Sequence, residues 1–293
     1  MKGRFSGTLL VALIGCGFAA AQTPDVRIRT DINLHYRSVT GSDSSLRWYD
    51  ATGHHSIIAV EFGLEPGFRA YLAERLQKID GNADNEQLDE YYVEDPGLWK
   101  IGKQYLPFGR QMVLRESARA ARGDTNLIFE RLPVAVAICD NGSGRTRGVI
   151  GRVGRRIGFS GAFGNNFGAQ STSLTVVRQP TDGPGVGRGY KLAVGADFAK
   201  TVGVVNIQGE IVGLRMGETA QDLDTEVSDL TFSFNKPKDW SVLVGWSREW
   251  RASYNIFRAQ GTLRLSRSSW AEPIVRFREG RLYDAGISLR VRL

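Results

Sequence analysis

Tyr283-Asp284-Ala285-Gly286-Ile287-Ser288-Leu289-Arg290-Val291-Arg292-Leu293 ends the sequence, and its odd-numbered residues are apolar while its even-numbered ones are small, polar or charged. A period of two places these sets on opposite faces of a strand. The same alternation appears after residue 25, where Val26, Ile28, Ile32, Leu34 and Tyr36 oppose Arg27, Arg29, Asp31, Asn33, His35 and Arg37. It returns in Tyr190, Leu192, Val194, Ala196 and Phe198 against Lys191 and Asp197, and in Val205, Ile207 and Ile211 against Asn206, Gln208 and Glu210. Leu230, Phe232 and Phe234 against Asp229, Thr231 and Ser233, then Phe257, Ala259, Leu263 and Leu265 against Arg258, Gln260, Thr262 and Arg264, repeat it. Beyond Gln22 no apolar run approaches the roughly 18 residues of a membrane helix, so the sequence predicts an all-β chain.

Composition agrees with that pattern. Of 293 residues, 42% are hydrophobic and 24% charged, with 35 Gly against 9 Pro, which excludes a disordered chain, a collagen repeat and a coiled coil. With only 3 His and 2 Cys, zinc ribbons and disulfide scaffolds are excluded as well, and no cofactor or metal is expected. Residues 1–21 form a secretory signal: Lys2 and Arg4, the apolar run Thr8 to Phe18, and Ala19-Ala20-Ala21 before Gln22. A rival reading takes Leu13-Ile14-Gly15-Cys16 as a lipoprotein box with Cys16 lipidated. Losing Lys2 and Arg4 lowers the net charge from +7 to +5 and leaves Cys139 with no cysteine to form an intrachain disulfide.

The connections divide into two kinds. Glu65-Pro66-Gly67, Asp95-Pro96-Gly97, Asn141-Gly142-Ser143-Gly144, Lys200-Thr201, 235–239 and 267–269 read as tight turns. Segments 39–54, 80–86, 107–125, 180–189 and 216–226 are longer. With 171–179 taken as a strand, the count is 16, every long connection lies at one end, and both termini lie at the other. Fourteen strands result if 171–179 and 88–94 are not strands. An even meander with short turns at one end and long loops at the other is the layout of an antiparallel transmembrane β-barrel of the bacterial outer membrane. It predicts one barrel domain over residues 22–293. A soluble sandwich needs only about seven strands per 100 residues, and no composition break marks a domain boundary here.

Residues 90–168 resemble the phosphate-selective porin O and P family of Gram-negative outer membranes. The resemblance rests on Glu90-Tyr91-Tyr92-Val93-Glu94, Gly102-Lys103-Gln104-Tyr105-Leu106-Pro107-Phe108-Gly109, Phe129-Glu130-Arg131, Arg145-Thr146-Arg147-Gly148-Val149 with Gly151, and Gly161-Ala162-Phe163-Gly164-Asn165-Asn166-Phe167-Gly168, in that order. It implies a 16-stranded, homotrimeric, anion-preferring porin in contact with outer-membrane lipid, passing small anions such as phosphate.

Register then decides which charges see a pore. An Arg facing lipid at mid-membrane costs about 2–4 kcal/mol, so apolar residues are expected to face out and their alternates to line the channel. That places Arg27, Arg29, Arg69, Arg75, Lys191, Arg258, Arg264, Arg276, Arg278, Arg290 and Arg292 inward, with Asp31, Glu210 and Asp229 as a smaller acidic set. A basic wall selects anions, unless its residues pair with acidic neighbours across strands. In the third long connection, Arg115, Arg119 and Arg122 fall on one face of a short helix; with Arg110 they are expected to form a constriction loop. Trp240, Trp246, Trp250, Trp270, Tyr254 and Tyr283 are expected in interface girdles.

Other functions find less support. No G-x-S-x-G occurs, and His54-His55 reads as a pair of surface residues. His35 beside Asn33 leaves a barrel lipid hydrolase as a minor alternative, and a non-conducting structural or adhesion barrel is the main one. The basic residues are spread along alternating strands and not gathered in one patch, which argues against nucleic acid.

Overall fold

In the computed structural model, the described residues are 25–39, 44–47, 56–65, 67–76, 88–110, 112–113, 125–140, 147–167, 190–217, 224–236, 240–251 and 253–293. The leader 1–21 with Cys16, His54-His55, Arg115, Arg119, Arg122 and the strand expected at 171–179 lie outside them. The strands are β1 (Val26–Val39), β2 (Ser45–Arg47), β3 (Ile57–Glu65), β4 (Phe68–Arg75), β5 (Leu88–Asp95), β6 (Trp99–Lys103), β7 (Thr125–Arg131), β8 (Val134–Asp140) and β9 (Arg147–Gly154). They continue with β10 (Ile157–Phe167), β11 (Tyr190–Val202), β12 (Val205–Gly217), β13 (Thr225–Lys236), β14 (Trp240–Glu249), β15 (Tyr254–Arg264), β16 (Ser269–Arg278) and β17 (Arg281–Arg292).

Each strand from β3 onward pairs antiparallel with the next, and β17 pairs with β1. The sheet therefore closes as a 16-strand antiparallel barrel, and no edge remains. The short β2 is supplementary. Residues Ser45–Arg47 pair with His35–Arg37, while Ile57–Phe62 pair with Val26–Asp31 on the same side of β1. One stave is thus interrupted between β2 and β3. At the gap the Ser56 hydroxyl donates to Asn33 O (2.8 Å) and accepts from Asn33 N (2.7 Å), replacing the missing ladder bonds.

Burial is inverted relative to a soluble sheet. Ile28, Ile157, Phe159 and Phe163 are among the most exposed side chains, whereas Asp31, Asn33, His35, Asp197, Asp229 and Asp284 are buried. Apolar outside and polar inside is the pattern of a barrel wall in lipid.

Two expectations about turns and one about an interface girdle are corrected. The reversal between β7 and β8 is Leu132-Pro133, which puts the connection after β8, including Asn141-Gly142-Ser143-Gly144, at the end with the long connections. A proline has no N–H to lose there, and two short apolar strands in succession imitate one long one. Between β11 and β12 the turn is Gly203-Val204 and not Lys200-Thr201; Gly203 takes φ 58°, which glycine adopts without steric cost. Trp270, expected in a girdle, shares the inward register of Glu272 and Arg276.

Candidate functional site

The wall of β7–β13 departs from the rule that apolar residues face lipid. Ala137, Ile150, Ala162, Ala193, Val212 and Val227 are buried on its inner side. They are apolar because the chain after β6 covers them: Leu106, Phe108 and Val113 belong to the same buried cluster. Small residues give this segment room. A Cβ added to Gly195 would stand 3.0 Å from the Phe108 ring.

Polar contacts then fix the segment. Gly109 N donates to Ser160 Oγ (2.8 Å), and Met112 N and Val113 N both donate to Glu210 Oε2 (2.7 and 3.1 Å). Gly109 has φ 52°, and a Cβ there would overlap Glu210 Oε1. Two independent constraints therefore require glycine at this elbow. Arg110 reaches Asp197 at 2.9 Å and donates to Arg155 O at 2.8 Å, beside the short turn between β9 and β10.

Carboxylates on the inner wall outnumber the three expected, because Asp197, Glu249, Glu272 and Asp284 join Asp31, Glu210 and Asp229. Register sets Asp197 opposite Glu210 and Glu210 opposite Asp229, a row across β11, β12 and β13. Arginines surround that row. Asp197 accepts from Arg152 at 2.7 and 3.0 Å, and Asp229 takes both Arg258 nitrogens at 2.7 and 2.8 Å, with Ser247 and Thr231 adding bonds. Neighbouring buried carboxyl groups are tolerable only when each is satisfied, Asp197 and Asp229 by arginines and Glu210 by the N–H groups of Met112 and Val113.

Across the lumen, Asp284 sits between Arg276 (2.6 Å) and Arg37 (2.7 Å), and Asp31 between Arg290 and Arg292 (2.9 Å each). Glu272 lies 4.0 Å from Arg290. Arg278 shares this inward face. Arg75 is buried on β4. Nearer the short-turn end, Arg27 pairs with Asp25 (2.7 Å), Arg69 with Glu61 (3.6 Å), and Arg264 donates to Ser266 O and Arg267 O. Arg29 and Lys191 are exposed on the inward register, with no acidic partner among the described residues. All eleven expected lining residues thus keep the inward register, but in the β15–β1 sector and at the mouth most are tied to carboxylates or carbonyls.

Sequence reasoning passed over Arg37, Arg152, Asp197 and Asp284 as pore residues. The signal existed for three of them, since Arg37, Asp197 and Asp284 occupy the polar positions of alternating strands. Arg152 follows Ile150 on the same inward face, and an apolar inward neighbour hides the period. His35 Nδ1 lies 2.9 Å from Ser288 Oγ, the geometry of a base and a hydroxyl nucleophile. Both residues are at most 1% exposed.

No family model matches the chain, and no curated protein matches it. Solved structures do. The chain is similar to OmpT (in-vitro folded, trimer form), an outer membrane protein of Vibrio cholerae, at 7% identity and TM-score 0.62, covering 93% of this chain and 100% of that one. It is also similar to the outer membrane channel DcaP of Acinetobacter baumannii (9% identity, TM-score 0.57, 94% and 99% covered). The anion-selective porin from Comamonas acidovorans gives 11% identity and TM-score 0.55, with 92% and 99% covered. At these identities the likeness shows a fold, that of the outer-membrane porin barrel.

Proposed function

We propose that this chain is an outer-membrane porin of the phosphate-selective O and P type, a passive water-filled channel that favours small anions and carries out no catalysis. In this reading residues 1–21 direct export, the barrel sits in outer-membrane lipid, and three copies associate. The trimer form of the OmpT neighbour supports the last point. Arg110, with Arg115, Arg119 and Arg122 beyond it, narrows the channel from the inward segment.

One observation carries the anion preference. On the adjacent strands β15, β16, β17 and β1 the inward register holds Arg258, Arg264, Arg276, Arg278, Arg290, Arg292, Arg27, Arg29 and Arg37, against Glu272, Asp284 and Asp31 on the same strands and the flanking Asp229 and Asp25 that pair with Arg258 and Arg27. By strand order, β17 and β1 lie halfway round the barrel from β9 and β10, so this sector faces the inward segment. Paired arginines still contribute their surplus charge to the lumen, and a focused field raises the local anion concentration. A barrel of this size otherwise leaves an aqueous channel.

The test is the reversal potential of the reconstituted channel under a potassium chloride gradient. Anion preference is expected and should weaken as salt rises, because the Debye length shrinks from about 10 Å at 0.1 M to about 3 Å at 1 M. Cation preference at low salt refutes the reading, and absence of any conductance favours the structural barrel.

A further inference from the structure

The outer face of β10–β13 carries a groove that the channel reading does not use. Ala196 and Gly209 form its floor, and Phe159, Phe198, Ile211 and Leu230 its sides, around a volume of about 500 Å³. Phe198 rests against Gly209, where any Cβ would collide with the ring. The volume falls within the roughly 300–1,000 Å³ of small-molecule sites; of the residues that line it, Asp197, Glu210 and Asp229 belong to the lumen-facing register, and those on the outward register are apolar or glycine except Ser228.

The groove is oblique. Ile157, Phe198, Gly209 and Leu230 stand opposite one another in register. Ile157 is the first residue of β10, Phe198 lies four residues from the end of β11, Gly209 four from the start of β12, and Leu230 six from the end of β13. Measured from the short-turn end, the line therefore climbs the wall from its lower edge toward its middle. A strand rises about 3.3 Å per residue, so the groove suits an extended chain better than a compact ligand.

Its lower end is basic. Arg155 and Arg156 form the turn that immediately precedes Ile157, and Lys200 follows Phe198 by two residues on the same outward face. Ala199 N donates to Arg156 O (2.8 Å), which brings the turn beside Lys200. All three side chains are exposed, and none has an acidic partner among the described residues. On the inner wall, by contrast, Arg110, Arg152 and Arg258 are each held by a carboxylate.

We infer that this is a seat for an anionic glycerophospholipid of the periplasmic leaflet, with one acyl chain in the groove and the phosphate against Arg155, Arg156 and Lys200. The inference rests on the outer-membrane reading, in which the short turns face the periplasm. Charge complementarity at the lower end and an apolar trough rising from it match the two parts of such a lipid.

The experiment is native mass spectrometry of the full barrel released from micelles, with phosphatidylglycerol or phosphatidylethanolamine of identical acyl chains. Wild type is expected to retain one phosphatidylglycerol with about tenfold preference. Replacing Arg155, Arg156 and Lys200 by Gln should abolish the preference while leaving conductance unchanged, since Arg110 uses only backbone carbonyls of this turn. Ala196→Phe should lower retention of both lipids. Inorganic phosphate at millimolar concentration should not displace the lipid; if it does, the site is an anion site without a chain seat and the inference falls. Equal retention of the two lipids by wild type, unchanged preference in the triple variant, or loss of oligomers in Ala196→Phe each overturns it. Bilayer conductance, measured in parallel, separates these outcomes from failure of the outer-membrane reading, in which no channel inserts.

Discussion

Gly109→Ala tests how the inward segment is held. Residue 109 has φ 52°, where an L side chain costs about 1–2 kcal/mol. Its new methyl would also overlap Glu210 Oε1, so Glu210 must withdraw from the segment it anchors. That withdrawal removes the bonds from Met112 N and Val113 N. Each hydrogen bond contributes about 0.5–1.5 kcal/mol, and the total with the backbone cost comes to roughly 2–5 kcal/mol. At about 1.4 kcal/mol per tenfold, the attached population of the segment falls at least about twentyfold. Cys139 provides the readout, because it is 4% exposed within the cluster containing Leu106, Phe108 and Val113. A water-soluble maleimide added to folded, reconstituted protein should label the variant far faster than wild type, and single-channel conductance should change in step. Barrel assembly should persist, since no strand pairing depends on residue 109. Unchanged labelling together with unchanged conductance refutes the account.

Other outcomes follow from the same structure. Asp284→Asn leaves Arg37 and Arg276 around a neutral, buried partner; breaking a buried pair costs about 3–5 kcal/mol, visible as a lower urea midpoint for unfolding from vesicles. Val244→Arg, on the exposed outer face in the middle of β14, should destabilise the inserted barrel by about 2–4 kcal/mol in the same assay without altering ion preference. Replacing Arg115, Arg119 and Arg122 together by Gln should shift the reversal potential toward zero, and an unshifted value removes them from the constriction.

The strand alternation made the barrel legible because a barrel wall has only two environments, and each strand must sort its residues between them. It failed where a third environment exists. Ile150, Val212 and Val227 face inward because the segment carrying Leu106, Phe108 and Val113 lies over them, and no local period reports a covering contact from elsewhere in the chain. The same limit hid the role of Glu210: its charge and register were readable, but its partners are backbone N–H groups about a hundred residues away. Pro107-Phe108-Gly109 was recognisable as a motif, and its physical content, an aromatic set against Gly195 and a left-handed elbow against Glu210, emerges only from the packing.

The seam between the first and last strands has a consequence for assembly. Asp31 meets Arg290 and Arg292 across about 260 positions of sequence, so the annulus is completed by a contact between its two ends. Before that contact an inserted sheet would present two bare margins to hydrocarbon, and each unsatisfied peptide group there costs several kcal/mol. An open intermediate is therefore excluded from the bilayer interior, and insertion and circularisation must proceed together. The clasp at Asp31 acts at the point where a strip becomes a ring. Weakening it should lengthen the time the chain spends at the membrane surface before it enters.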